Sequence, residues 1–438
     1  MKTDLRILVV DDSDTKRLRV AETLGARLGS AVQIDTAVDY EDAIDFMKAK
    51  PFDLVILDLL LPSQASKPSA EISRSIIELT RSGKLFRPTH IIGLTEFKEA
   101  ELKEHAYYLE QLFALIHYDP TNNEWADRIV ARITYLLQSK REAANFHLRT
   151  FDLDVLVLTA RYENEYVPIA ESLFKKTLSS PNTIWDGQIE FGYIEQGGGR
   201  LLRGAVACIG EMGMAPAAAL TAQAISYFRP RLVAMLGMCC GFSSKACHAP
   251  RKMLDAIVVR QSSCWEEGRY QSEADKDLPA FLSRSKPRQI DDDLRPQIES
   301  IVERSAELLQ PALRKMAARK FYKEIADKFP KKVRDVANVH CGEMVSGSSV
   351  IATQVKVEDI LKRHPRAVGL DMEVFGVYTA ASLALGTKPS FLAVKGVADF
   401  GQTKKVKDAQ KAASLVSCVV FKSILSNIDT FGSVVKSG

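Results

Sequence analysis

Three carboxylates stand at the ends of apolar runs in the first part of this 438-residue chain: Asp11 and Asp12 after LRILVV, and Asp58 after LVIL. If those runs are neighbouring parallel strands, their C-terminal ends bring the acids together. Their repulsion is tolerable around a hard divalent cation such as Mg2+, which takes oxygen ligands. A carboxylate beside such a cation can attack a phosphoryl group, because the metal neutralises the transferring oxygens. Thr95 ends a further run, HIIGLT, where its hydroxyl would meet an acyl phosphate on Asp58. The plainer reading of DDSD is a helix N-cap cluster favoured by the helix dipole. Asp58, Pro62 and Thr95 at the ends of the other runs favour the metal site.

A second set of candidates lies beyond residue 150. Gly210-Glu211-Met212-Gly213 joins an apolar run to a helical stretch, so its glycines would let backbone N–H groups approach an anion. It lacks the Lys-Ser/Thr of a P-loop and the full GxGxxG spacing. A small-residue turn from Gly237 to Gly241 follows LVAML. In GEMVSGSSVIA, Ser346 and Gly347 precede Val350-Ile351, an apolar pair suited to flank a flat ring. Met372 and Glu373 open a helical stretch, and FLAVKGVAD ends on Asp399. Each has an ordinary alternative, as a turn, a core residue beside a surface one, or an N-cap. Their conjunction in this order points to a site.

The elements that must position these residues alternate. LRILVV, VQIDTA, LVILDLLL, HIIGLTEF and LFALIHY read as five strands separated by helical stretches and closed by the helix EWADRIVARITYLLQSKR. That pattern predicts an α/β unit with a doubly wound, five-stranded parallel sheet over residues 1–140, its chemistry at the strand C-termini. Residues 141–152 are polar and read as a linker, or as an extension of the preceding helix. A second α/β domain is expected over 153–438, with buried strands at DVLVLTA, RGAVACIG, RLVAMLG, DAIVVRQ and PSFLAVKGVAD. A charged, mostly helical insertion is expected at about 272–338, since bare loops of that length are uncommon in compact domains.

Hydrophobic residues make up 46% of the chain, enough for sizeable cores, and the net charge of +4 does not point to nucleic acid. The apolar runs fall short of a membrane span. RILVV is too short for a secretory core and leads into acids, so the expected location is cytoplasmic. The seven cysteines form no CxxC pair and read as reduced core thiols.

About residues 4–140 resemble the receiver domain of bacterial response regulators, on Asp11-Asp12, Asp58 and Thr95 at successive strand ends. The resemblance implies Mg2+ held by Asp11, Asp12 and Asp58, with Asp58 as phosphoacceptor, Thr95 as switch hydroxyl and a histidine kinase as phosphodonor. Receivers usually carry a lysine followed by proline after the fifth strand; here that stretch reads His117-Tyr118-Asp119-Pro120. The loop after Asp58 is also longer than usual. The fallback is a pseudo-receiver that only pairs with a partner.

About residues 152–428 resemble the nucleoside phosphorylase and nucleosidase superfamily, on the Met372-Glu373 pair, the Ser346-Gly347 loop and KGVADFG. The resemblance implies Met372 packed under the sugar, with Glu373 accepting hydrogen bonds from the ribose hydroxyls. Asp399 would be the general acid toward N7 of the purine, its pKa raised by burial. The ribose would pass through an oxocarbenium-like state. Glu165 is the implied water-activating residue, with Glu163 as the alternative, because the register departs from the family by one residue. Ser346, Val350, Gly213 and Gly237 are expected at the substrate, no cofactor is expected in this domain, and a homo-oligomer is.

Joined, the halves resemble the effector of two-component-type (Detocs-like) phage-defence systems. That implies phosphorylation-gated cleavage of ATP, and of related adenine nucleotides, to adenine and ribose 5′-triphosphate. Arg314, Lys315, Arg319, Lys320 and Lys323, or Lys404-Lys405, would then face the phosphates. Two other readings stay open. One is a receiver-regulated nucleoside phosphorylase or methylthioadenosine/S-adenosylhomocysteine-type nucleosidase; the other is a non-catalytic purine-sensing module.

Overall fold

A computed structural model of the chain describes residues 5–64, 66–96, 107, 110–112, 114–147, 150–178, 188–242, 251–271, 280–401 and 407–429. The chain divides into two units, Met1–His147 and Leu148–Gly438.

In the first unit the order is β1 (Leu5–Val10), α1 (Asp14–Leu28), β2 (Val32–Ala37), α2 (Tyr40–Ala49), β3 (Leu54–Leu57), β4 (Leu61–Ser63), β5 (Ser66–Ser69), α3 (Ala70–Arg81), β6 (His90–Thr95), β7 (Ala114–His117) and α4 (Glu124–His147). Five strands pair in parallel in the order β2-β1-β3-β6-β7. Successive strand residues face opposite sides, so a sheet covered by helices on both faces needs near-continuous apolar strands. Leu5, Ile7 and Val9 pack with Val20 and Leu24 of α1 and Ile129 and Ile133 of α4. Leu8 and Val10 join Ala43 and Met47 of α2 and Ile76 and Ile77 of α3 on the other side. The long stretch after Asp58 is partly ordered by the β4–β5 hairpin. The N-cap of α1 is Ser13, which accepts from Lys16 N, so Asp11 and Asp12 are not spent on capping.

The expected linker begins as helix. Residues 141–147 are the last turns of α4, where an i,i+4 bond from Gln138 to Glu142 continues the helical surface.

The second unit opens with β8 (Leu153–Thr159), a π-helical turn (Tyr162–Tyr166), α5 (Val167–Leu173), β9 (Lys176–Leu178), β10 (Ile189–Glu195), β11 (Leu201–Cys208), α6 (Met214–Phe228) and β12 (Pro230–Gly241). Then come β13 (Ala256–Cys264), β14 (Gly268–Gln271), β15 (Ala280–Ser283), β16 (Arg288–Gln289), α7 (Leu294–Glu303), α8 (Ser305–Leu308), α9 (Gln310–Ala317) and α10 (Lys320–Lys328). The unit ends with β17 (Val339–Ser346), α11 (Gln354–Arg363), β18 (Ala367–Asp371), α12 (Val374–Ser382), β19 (Ser390–Asp399) and α13 (Lys407–Leu425). The main sheet is mixed: β12 pairs in parallel with β8 and β19 and antiparallel with β18. Because β18 pairs β17, β17 pairs β13 and β13 pairs β19, five strands close into a ring.

The segment of the expected insertion holds short strands as well as the helices α7 to α10, and its helices share the core of the main sheet. Its first part contains β15, which pairs with β14 just ahead of it, and β16, and residues 272–279 lie outside the described residues. Its helices bury Leu294, Ile298, Leu313, Met316, Tyr322 and Ile325 in the same hydrophobic cluster as β8, β12 and α13. Charged outer faces in the sequence hid that shared core. Among the described residues, no helix is long and apolar enough to cross a membrane.

Candidate functional site

The parallel pairing of β1 with β3 places the ends of both strands together, as the acid pattern requires. Ligand oxygens of Asp11, Asp12 and Asp58 lie within 4.8 Å of one another. Three carboxylates from two strand ends form a hard-oxygen donor set that fits Mg2+. Burial pushes the Asp58 carboxyl up to about 7, against the pull of Lys16 and with the help of Asp11. Thr95 is buried at the end of β6, the strand beside β3.

Lys16 was not legible as part of this centre. It lies in the first turn of α1, and helix side chains tilt toward the N-terminus, which returns it to the strand ends. Its ammonium is 2.8 Å from Asp11 Oδ2 and 3.2 Å from Asp58 Oδ1, and donates to Leu94 O at 3.1 Å. Burial opposes its charge, but Asp58 and Asp11 outweigh that and raise its pKa. The spacing DDSDTK was the available signal, given the helix start.

In the second unit the candidates converge on a cavity of about 280 Å³ lined by Glu165, Met372, Glu373, Asp399, Val350 and Ile351. Glu165 comes from the π turn after β8, Met372 and Glu373 from the junction of β18 and α12, and Asp399 from the end of β19. Such wide turns recur at functional sites because they shift register by one residue. Here the turn exposes Glu163 and buries Glu165. Three backbone amides fix Glu165: Ala160 N at 2.7 Å, Arg161 N at 3.0 Å and Met238 N at 2.9 Å.

Glycines expected at the substrate stand behind this wall. Gly237 has φ +146°, and a Cβ there would lie 2.2 Å from Glu165 Oε1, so the bare backbone makes room for the carboxylate. Gly213 N donates to Glu373 Oε1 at 3.2 Å. Ser346 is a support rather than a lining residue: its hydroxyl donates to Asp371 Oδ1 at 2.6 Å and accepts from Phe375 N at 3.0 Å. Val350, 49% exposed, does line the cavity.

Two residues absent from the sequence reading complete the centre. Asp371, which ends β18, accepts from Val374 N at 3.0 Å and lies 3.3 Å from the fully buried Lys395 ammonium. The same ammonium is 3.8 Å from Glu373 Oε2. Lys395 sits inside KGVAD, where it reads as an ordinary strand residue; only the closure of β19 onto β12 and β13 encloses it. Burial opposes its charge, but Asp371, Glu165 and Glu373 hold it ionised. Burial pushes Glu373 up to about 7 against the pull of Lys395. Asp399 is half-buried rather than enclosed, and its Oδ1 accepts from Gly401 N at 2.9 Å. The enclosure expected for Asp399 falls instead on Glu373.

Arg161 is the one cation on the cavity wall among the described residues. Arg314, Lys315, Lys320 and Lys323 are not on that wall, and Arg319 lines a different cavity. Lys404-Lys405 lie outside the described residues.

No family model matches the chain. Uncharacterized protein y4jS of Sinorhizobium fredii (strain NBRC 101917 / NGR234) is 24% identical over 427 residues, covering 94% of this chain and 97% of that protein. Among solved structures, the 5′-methylthioadenosine/S-adenosylhomocysteine nucleosidase of Neisseria meningitidis, in complex with methylthio-immucillin-A, matches with TM-score 0.41 and 18% identity, over 63% of this chain and 99% of that one. A putative nucleosidase of the same kind from Borrelia burgdorferi B31, bound to adenine, gives TM-score 0.43 and 17% identity over 63% and 100% of the two chains. Futalosine hydrolase of Helicobacter pylori strain 26695 gives 0.40 and 14% over 63% and 99%.

Proposed function

We propose that this chain is a phosphorylation-gated purine N-glycosidase that cleaves adenine nucleotides, ATP foremost, and acts as an antiphage effector under a histidine kinase. The carrying observation is that Glu165, the Met372-Glu373 pair and Asp399, from three separate stretches of the chain, share one cavity wall. In this reading Glu373 accepts hydrogen bonds from the ribose hydroxyls above Met372. Asp399 gives a proton to N7 as the bond from C1′ to N9 breaks. Water adds to C1′, and Glu165 takes its proton. Buried Lys395 opposes protonation of Glu373 and so preserves the acceptor. Arg161 is the cation available to a substrate phosphate.

In the first unit, Asp58 accepts the phosphoryl group and Thr95 senses it, with Asp11, Asp12 and Asp58 holding Mg2+. Bound there, the cation would neutralise the transferring oxygens. Moving a two-state unit from mostly off to mostly on takes about 5.5 kcal/mol of differential stabilisation, to which one phosphoryl group with several charge-assisted contacts contributes. The assembly is a homo-oligomer in the cytoplasm.

A second reading has its own support. Met212, Met238, Val350, Ile351 and Met372 make much of the wall apolar, which suits an uncharged nucleoside with an apolar 5′ substituent. Free adenine is followed with ATP, AMP, adenosine and methylthioadenosine, each with and without an acyl-phosphate donor and Mg2+. Adenine from ATP, increased by the donor, supports the gated nucleotide enzyme. Adenine from the uncharged nucleosides alone replaces it with the second reading, and none from any substrate leaves a purine-sensing module.

A further inference from the structure

The end of β7 and the residues that follow it offer no lysine or arginine to the acidic centre. His117 Nε2 is bonded to Glu96 O at 3.0 Å, Tyr118 is buried, and Asp119 is an acid. A buried lysine has arrived from another element. Lys16 of α1 is 3% exposed and has its three protons directed at Asp11 Oδ2, Asp58 Oδ1 and Leu94 O. Its ammonium lies 5.5 Å from the centre of the Tyr118 ring, and that ring packs against Trp125 at 5.1 Å. Burying an ammonium is costly unless it is paired, and an aromatic face adds a further attraction. The residue after β7 therefore seats the lysine instead of supplying one.

We propose that Lys16 is the cation that holds the phosphoryl group on Asp58, so that α1 carries the phosphate contact in this chain. This rests on the receiver reading above. Asp58 Oδ1 already accepts from Leu59 N at 2.8 Å and pairs with Lys16, which leaves Oδ2 to attack. Oδ2 bonds to the phosphorus of an acyl phosphate, and the bond from phosphorus to the donor's carboxylate oxygen breaks. The carboxylate leaves with that electron pair, and no proton is transferred. Oδ1 becomes the carbonyl oxygen of a mixed anhydride and loses most of its charge. The ammonium then turns from Oδ1 to a phosphoryl oxygen while keeping Asp11. Leu94 precedes Thr95 on β6, so the same ammonium ties the phosphate to the strand end bearing the switch hydroxyl.

The test uses the full chain with acetyl phosphate and Mg2+. Hydroxylamine-sensitive mass gain reports the acyl phosphate, and calorimetric titration reports Mg2+ binding. Wild type gains the phosphoryl group and Asp58→Asn does not. Lys16→Met, close in length and able to cover Tyr118, is expected to accumulate it about a hundredfold more slowly, the scale for removing one donor from a developing charge. It should bind Mg2+ at least as well as wild type, because no ammonium competes for the carboxylates. Lys16→Arg should recover most of the rate. Wild-type uptake in Lys16→Met overturns the proposal, and so does slow uptake that accompanies lost Mg2+ binding and is not rescued by arginine. Mg2+ binding without any uptake in wild type removes the receiver reading itself, and this role with it.

Discussion

Lys16 lies between Asp11 and Asp58 in the first unit, and Lys395 lies between Asp371 and Glu373 in the second. The charge pattern is nearly the same, a buried ammonium between two carboxylates, but the surroundings differ. In the first unit Asp12 is exposed beside the pair, and the ammonium has a carbonyl and two carboxylates at 2.8 to 3.2 Å. In the second the ammonium is fully enclosed, its pairs are longer at 3.3 and 3.8 Å, and the cavity wall beside it carries Met212, Met238, Met372, Val350 and Ile351. Open hard oxygens suit a hydrated cation and a phosphoryl group. Carboxylates under an apolar wall suit an organic ring with a few placed hydroxyls.

The sharpest division would come from Asp399→Asn. We expect adenine release to fall about a thousandfold, within the usual range for a general acid, while uptake of a phosphoryl group on Asp58 is unchanged. Loss of both activities would break the comparison.

Removing the enclosed cation comes next. Lys395→Met leaves Asp371 and Glu373 buried without their partner and should cost about 3–5 kcal/mol in denaturant unfolding of the second unit. Lys16→Met should cost less, because Asp12 and solvent reach the first centre. Equal costs would show that enclosure does not distinguish the two.

Gly237→Ala follows, at about 2 kcal/mol of strain, since the new Cβ meets Glu165 Oε1 at a φ that L-residues rarely adopt. We expect a lowered kcat with little change in KM, read in steady-state kinetics, because the displaced group is Glu165 and not a ribose contact. Unchanged kcat would remove Glu165 from the chemistry.

The smallest effects are conditional. Mg2+ at about a hundred times its dissociation constant should add about 3 kcal/mol to the first unit. Hydrogen exchange would slow near Asp11 and Asp58 and stay unchanged near Glu165 and Glu373. For Glu373, the ordinary value of 4.5 rises to about 7, so its carboxyl is protonated below that pH and ionised above it. Activity that needs the carboxylate therefore falls as pH drops through about 7, and folding stability from this group falls as pH rises from 4.5 to about 7. Lys395→Met, which removes the opposing charge, should move the activity limb upward by about one unit, a tenfold change at fixed pH. A profile flat through neutrality in wild type would contradict the role given to Glu373.

The first unit was legible because its strands are short, apolar and parallel. Asp58 and Thr95 read as strand ends, and five strands stand in the expected segments, although the third stops at Leu57 and does not run on through the leucines after Asp58. In the second unit the long buried strands β8, β11, β12, β13 and β19 were legible, but β17 and β18, which complete the ring, were not, and neither was its closure. Nothing local in FLAVKGVAD says that β19 must pair with both β12 and β13, and that pairing is what encloses Lys395. Gly237 looked like a ligand-binding glycine because a left-handed turn and a clearance for a neighbouring carboxylate leave the same mark in a sequence. Ser346 is a similar case, since a serine at a strand end serves a neighbouring acid, here Asp371, as readily as a ligand.

Residue type and order thus set which groups are present and which strand ends carry them, through apolar periodicity and glycine punctuation. Folding in three dimensions settled their partners. A helix tilt returned Lys16 to Asp58, a π turn buried Glu165 and left Glu163 exposed, and ring closure enclosed Lys395 beside Glu373. Ion pairing depends on distances of a few ångströms between groups on different elements, tens of residues apart in the chain, and local sequence does not encode those distances.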